Sequence, residues 1–193
     1  PAIDWQKTFG GDLTDRLYSI NQTSDGGFII GGSSGSGISG DKTVELNGNT
    51  GLGDYWIIKT DIEGTIEWQK SIGGYDAEGI KTIINQTTDG GYIIGGDSYS
   101  DISGDKTENS YGEGDYWIVK LDENGNVVWD KTLGGSSIDR LEKIIQTPDG
   151  GFLAGGYSGS NISGNKTENV VGYVPLTSTN VGPDYWIVKL DAN

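Results

Sequence analysis

Four short blocks of sequence each occur three times, in the same order, along a chain of 193 residues. One opens on tryptophan: Trp5-Gln-Lys-Thr-Phe-Gly-Gly, Trp68-Gln-Lys-Ser-Ile-Gly-Gly and Trp129-Asp-Lys-Thr-Leu-Gly-Gly. Another surrounds Asp-Gly-Gly, in Gln22-Thr-Ser-Asp-Gly-Gly-Phe, Gln86-Thr-Thr-Asp-Gly-Gly-Tyr and Gln146-Thr-Pro-Asp-Gly-Gly-Phe. The third is Ile38-Ser-Gly-Asp-Lys-Thr, Ile102-Ser-Gly-Asp-Lys-Thr and Ile162-Ser-Gly-Asn-Lys-Thr. The fourth is Asp54-Tyr-Trp-Ile-Ile-Lys, Asp115-Tyr-Trp-Ile-Val-Lys and Asp184-Tyr-Trp-Ile-Val-Lys. A recurrence every sixty residues or so is the signature of a fold built from one supersecondary unit used repeatedly. The chain reads as one repeat domain with copies at 5–67, 68–128 and 129–193.

Each copy reads as four strands. In the second, residues 80–87 are a β-branched run ending at a Thr-Asp-Gly-Gly turn, and residues 91–98 form its hairpin partner. A long polar loop leads to a third strand at 116–121, and an Asp-Glu-Asn-Gly turn leads to a fourth at 126–132. No segment has the apolar spacing of an amphipathic helix, so the expected class is all-β. Four antiparallel strands per repeat suggest β-propeller blades, with each sheet buried on both faces. The chain begins with a fourth-strand sequence and stops after a third-strand one. Residues 1–10 are therefore expected to complete the last blade and leave no open edge. Three blades are fewer than propellers use. Three resolutions stay open. Two chains could close head-to-tail into a six-bladed ring, the chain could be part of a longer one, or a monomeric β-trefoil or β-prism could form.

Composition narrows the chemistry. With 13 Lys and Arg against 28 Asp and Glu, the formal charge is −15. That sign disfavours nucleic acid and anionic membrane surfaces as partners, and leaves divalent cations and neutral polymers such as glycans. The absence of Cys, Met and His removes thiol nucleophiles, imidazole bases and the usual soft-metal ligands. No run of residues is long and apolar enough for a membrane helix. A chain led by Pro1 suggests a processed product or an excised fragment.

The run from Asp115 through Asp-Glu-Asn-Gly to the glycine pair after Leu133 resembles propeller-like repeats of secreted and surface proteins in Bacteroidetes, many of them linked to type IX secretion. The Asp149-Gly-Gly-Phe-Leu-Ala-Gly-Gly block is similar to delta-60-type repeats. The resemblance covers essentially the whole chain. It implies a secreted or cell-surface location and a repeat-built β fold, and carries no reaction with it.

The loops between second and third strands, 33–53, 97–114 and 157–183, are long for a compact repeat, which marks one face as the expected binding surface. Asp101, Ser103, Asp105, Glu108 and, in the first copy, Asp41 supply hard oxygens that would suit calcium, though without full EF-hand spacing. The alternative is a Gly-Asp turn with Lys42, Lys106 or Lys166 pairing locally. Asp15, Glu78 and Asp139 recur four residues past the glycine pair. They read either as turn caps and Asp–Arg bridges or as a polar ring gripping a ligand. The six Trp residues fall at repeat-equivalent strand positions and read as packing between sheets. Tyr99, Tyr111, Tyr157 and Tyr173 differ between copies and are the candidates for stacking on sugar rings. Asp54, Asp115 and Asp184 read as caps at the start of a strand. The function expected is a non-catalytic extracellular module recognising glycan or another polymer, with calcium assisting and no other cofactor. The alternatives are a structural spacer or assembly repeat without a small-molecule ligand, and a glycoside hydrolase. The last is disfavoured because every candidate acid recurs in triplicate while an active site is a unique constellation.

Overall fold

The Asp-Gly-Gly turns set the first pairing in each repeat. Gly26, Gly90 and Gly150 have φ of 91°, 87° and 86°, the left-handed region that glycine adopts without strain. The preceding carboxylates of Asp25, Asp89 and Asp149 reach the ammonium groups of Lys59, Lys120 and Lys189 at 2.8, 3.0 and 2.9 Å. Those lysines lie on the third strand of the same repeat, so the ion pair ties the first turn to the strand two places across the sheet.

The computed structural model describes residues 1–48, 53–79, 81–171 and 182–192. It is all-β. The first sheet contains β1 (Asp15–Gln22), β2 (Phe28–Ser34), β3 (Asp54–Thr60) and β4 (Ile66–Ile72) in sequential antiparallel order. The second contains β5 (Ile83–Gln86), β6 (Tyr92–Ser98), β7 (Asp115–Leu121) and β8 (Val127–Leu133) in the same order. The third contains β9 (Asp139–Gln146), β10 (Phe152–Ser158) and β11 (Asp184–Leu190). The sheets thus span 15–72, 83–133 and 139–190, one strand out of step with repeats counted from Trp5, Trp68 and Trp129.

The sheets stack face to face, and their first strands lie side by side, with β5 between β1 and β9. Tyr55 of β3 stacks on Trp117 of β7, centroids 5.2 Å apart, and Tyr116 of β7 lies 5.0 Å from Trp186 of β11. Each Tyr hydroxyl donates to a backbone carbonyl of the next sheet, Asp97 at 3.1 Å and Trp186 at 3.2 Å. The glycine pairs make room for this approach. A side chain at Gly31 would collide with Ile84, and one at Gly95 with Leu141. The core follows from that stacking, one cluster centred on Tyr55, Ile84 and Trp117 and another on Tyr116, Leu141 and Ile144. Burying an aromatic pair with its hydroxyl satisfied combines a large apolar area with no orphaned polar group.

Two expectations are corrected. Residues 1–10 do not complete the third sheet. They form no strand, β11 has no fourth-strand partner among the described residues, and the three sheets do not close into a ring. Trp5 instead packs edge-on against Phe28 of the first sheet at 5.9 Å, because three stacked sheets leave the chain's two ends on opposite sides of the stack. The trefoil and prism alternatives also fall away. Every strand pairs only with its sequence neighbours, in three separate sheets, and the middle sheet is covered on both faces, β7 being buried at all seven positions.

Candidate functional site

The described parts of the long loops form a hydrogen-bonded frame with the turn that follows each Gly-Gly. The hydroxyls of Ser36, Ser100 and Ser160 each accept from a turn N–H, that of Leu13, Asp76 and Ser137, at 2.9 Å. Those of Ser39, Ser103 and Ser163 accept from Asp12, Tyr75 and Ser136 at 3.0, 2.9 and 2.8 Å. The same two contacts occur in all three repeats, so the loop tips have one geometry whatever their side chains.

The repeated acids belong to that frame. Asp15, Glu78 and Asp139 accept from the N–H of Gly11, Gly74 and Gly135 at 2.7, 3.0 and 2.6 Å, and each also accepts from a loop serine hydroxyl, that of Ser36, Ser100 or Ser160. Glu78 and Asp139 are buried, and their contacts are those of turn caps. Glu78, pushed up to about 7, is displaced chiefly by burial and further by the charge of Asp54, against the opposing bonds from Ser100, Gly74 and Ser98. Asp54 and Asp115 accept from the backbone N–H of Asn47 and Tyr111 at 2.9 and 2.6 Å, and Asp184 from that of Val171. Burial pushes Asp115 up to about 6, aided by Asp139 and opposed by the Tyr111 N–H.

The oxygens proposed for calcium are spread over separate contacts. Asp41 and Asp105 accept from Gly10 and Gly73 N–H at 3.3 and 3.2 Å. Asp101 accepts from Ser110 N–H at 3.2 Å, and Glu108 from Lys131 at 2.6 Å and Thr132 N–H at 2.8 Å. No group of three or more acidic side chains placed to hold a metal ion occurs among the described residues. Asn165 explains the third copy. Its amide oxygen accepts from Gly134 N–H at 2.8 Å, as Asp105 does from Gly73, and its NH2 donates to Thr132 O at 3.0 Å. The position needs an acceptor, which an amide supplies as well as a carboxylate. Asp105→Asn is therefore expected to hold thermal stability within about 1 kcal/mol, and Asp105→Ala to cost about 1–3 kcal/mol by orphaning Gly73 N–H. Melting curves with and without calcium check this, and a calcium-dependent gain lost in both variants would contradict the acceptor role. The lysines of the same motif turn inward. Lys42 donates to Ser36 O at 2.7 Å, Lys166 to Glu168 O at 2.7 Å, and Lys106 lies 5.8 Å over the Trp117 ring.

Of the candidate tyrosines, Tyr99 and Tyr157 both lie within reach of the charge of Arg140. Tyr99 is half-buried and its hydroxyl accepts from Arg140 at 3.3 Å. Tyr157 lies on β10 beside Tyr185 along a shallow groove of the third sheet. Tyr111 is exposed on its loop. Tyr173 lies outside the described residues. The frame presents a different set instead: Ile38, Ile102 and Ile162, at 59, 60 and 62% exposure, with Tyr75 at 59%. The signal was available in the sequence as an apolar residue kept in three otherwise polar loops. Its meaning depended on knowing that the side chain points outward.

No protein-family profile matches the chain, and no curated protein matches it. Among solved structures it is similar to a protein of unknown function from Bacteroides caccae, at 11% identity and a TM-score of 0.30. The alignment covers 75% of this chain and 57% of the other; the chain thus spans little more than half the length of that protein.

Proposed function

We propose that this chain is a non-catalytic recognition module, secreted or displayed on a cell surface, whose loop face binds an extended polymer, with glycan the class it suits best. The observation that carries the reading is the triplet of exposed isoleucines, Ile38, Ile102 and Ile162, one on each loop. The repeated polar groups of the loops are engaged in holding the frame, so an apolar side chain kept outside in every copy has no comparable structural task. Exposed apolar groups grouped on one face are a mark of an interaction surface. A regular spacing of apolar contacts, joined by Tyr75 and Tyr111, suits a ligand that itself repeats, and aromatic faces pack well on sugar C–H surfaces. The stacked sheets are read as consecutive blades of a propeller, which would array these tips around a common rim. Calcium is not required by this reading, since Asp41 and Asp105 are engaged by backbone N–H groups.

A glycan and polysaccharide array, run with and without calcium, tests it. Binding is expected, and the triple change Ile38→Ser, Ile102→Ser, Ile162→Ser should weaken it by about tenfold or more, roughly 1.4 kcal/mol, with an unchanged melting temperature. Silence across the array in both conditions would instead favour a spacer or assembly repeat.

A further inference from the structure

The first and third sheets each expose a face whose counterparts inside the chain are buried. Tyr55 and Ile57 on β3, and Tyr116 and Ile118 on β7, are all 0% exposed because the next sheet covers them. Their equivalents on β11, Tyr185 and Ile187, are 95 and 66% exposed. At the other end, Ile84, Leu141 and Ile144 are buried against the preceding sheet, while Leu17 and Ile20, which match Leu141 and Ile144, are 59 and 52% exposed. The two open faces are complementary in shape. Gly31 receives Ile84, and Gly95 receives Leu141 and Ile144. Gly155, the third glycine of this set, has no side chain of another sheet against it among the described residues.

The N-terminal segment fits the same pattern. Trp68 of β4 packs edge-on to Tyr92 at 5.6 Å, and Trp129 of β8 to Phe152 at 5.8 Å. In both cases a fourth strand reaches across to the following sheet. Trp5 makes that contact with Phe28 at 5.9 Å. Trp5 and Lys7 crowd Gly64 as Trp68 and Lys70 crowd Gly125. Residues 5–9 therefore stand where the fourth strand of a sheet preceding the first would stand, and the third sheet has no fourth strand among the described residues.

We infer that the occupant of both open faces is a second copy of this chain, joined head-to-tail twice to close a two-copy ring of six sheets. In each junction β11 of one copy pairs with residues 3–9 of the other. The β3–β4 register, in which Tyr55 faces Ile72, Ile57 faces Lys70 and Lys59 faces Trp68, transfers to Tyr185 facing Phe9, Ile187 facing Lys7 and Lys189 facing Trp5. Leu17 and Ile20 fill the space over Gly155. Arg16 reaches back as Arg140 does toward Asp97 and Tyr99, at 3.7 and 3.3 Å, and there meets Tyr157, which occupies the position of Asp97. A heterologous contact of this kind either closes into a ring or propagates as a fibre, and pairing the β11 edge removes an open template for aggregation.

Light scattering on the unmodified protein is expected to give twice the chain mass. The chain has no cysteine, so a mixture of Lys7→Cys and Ile187→Cys chains should form a disulfide between the two on oxidation. A Tyr185→Arg, Ile187→Asp variant should be monomeric with an unchanged circular dichroism spectrum and melting profile at low concentration, because both side chains are exposed in the single chain. A monomeric mass for the unmodified protein at every concentration would overturn the inference, as would a ladder of larger species. So would an absence of cross-linking in the mixture, or a chain carrying both cysteines that cross-links to itself.

Discussion

Trp117→Ala is expected to destabilise the protein by about 3–5 kcal/mol, the range for emptying a large buried aromatic site, and by more than Trp56→Ala. The two indoles hold the same place in their repeats. Each donates its ring N–H within its own sheet, Trp56 to Gln69 at 3.0 Å and Trp117 to Asp130 at 2.9 Å. Both substitutions remove an indole N–H hydrogen bond, to an amide oxygen at Trp56 and to a carboxylate at Trp117, where the charged acceptor adds to the expected loss. Trp117 also stacks on Tyr55 at 5.2 Å and lies under the Lys106 ammonium at 5.8 Å, and the ring pair alone is worth about 1 kcal/mol beyond the area it buries. Trp56 is covered by Phe9, Val44 and Ile66 instead. Urea unfolding followed by tyrosine fluorescence would read the difference. Equal losses at the two positions would mean that face-to-face packing between sheets contributes nothing beyond local burial.

The second large effect is a gain in stability as the pH is lowered from 8 to about 5. Burial pushes Glu78 and Asp97 each up to about 7 and Asp115 up to about 6, against ordinary carboxyl values of about 4. In the window between those values the folded protein holds protons that the unfolded chain has released. Unfolding free energy therefore falls as pH rises through it, and the cost is fully present above pH 7. At about 1.4 kcal/mol per unit of pKa, Glu78 alone contributes on the order of 3 kcal/mol. Below the window the sign reverses. Hydrogen bonds from Lys59 and Thr23 hold Asp25 far below the usual carboxylate range, and Thr147 and Lys189 lower Asp149. Stability carried by those pairs is present above their unfolded values and is lost as pH falls through the folded ones. A maximum near pH 4 to 5 follows. Thermal melts across pH 3 to 9 would trace it, with Glu78→Gln flattening the limb above pH 5 and raising the melting temperature at pH 8. A melting temperature that climbs steadily from pH 5 to 8 would refute this assignment.

The strands and turns were legible in the sequence because their causes are local. Thr-Asp-Gly-Gly demands positive φ at its first glycine, and the runs following Tyr92 and Tyr116 are β-branched and aromatic. The hydrogen-bond frame of the loops was less legible. Asp41, Asp101, Asp105 and Glu108 carry the donor types of a calcium loop, and only the positions of the Gly10, Gly73, Ser110 and Thr132 N–H groups and the Lys131 ammonium show that these oxygens are already engaged. Asn165 was the visible hint, since an amide in place of a carboxylate suits an acceptor for N–H better than a ligand for a doubly charged cation. Turn caps and a polar ring were both open readings of Asp15, Glu78 and Asp139, since the choice depended on which way those side chains point; they turn into the frame, as caps do.

By itself the sequence determined the unit: four antiparallel strands, their turns, and a threefold repetition one strand out of step with the chain. What surrounds each unit was decided by tertiary structure alone. β7 and β11 have the same seven residues, Asp-Tyr-Trp-Ile-Val-Lys-Leu, yet β7 is buried throughout and β11 is exposed at alternate positions. Identical side chains reach opposite environments because burial is a property of the neighbouring sheet, which the strand's own composition does not encode.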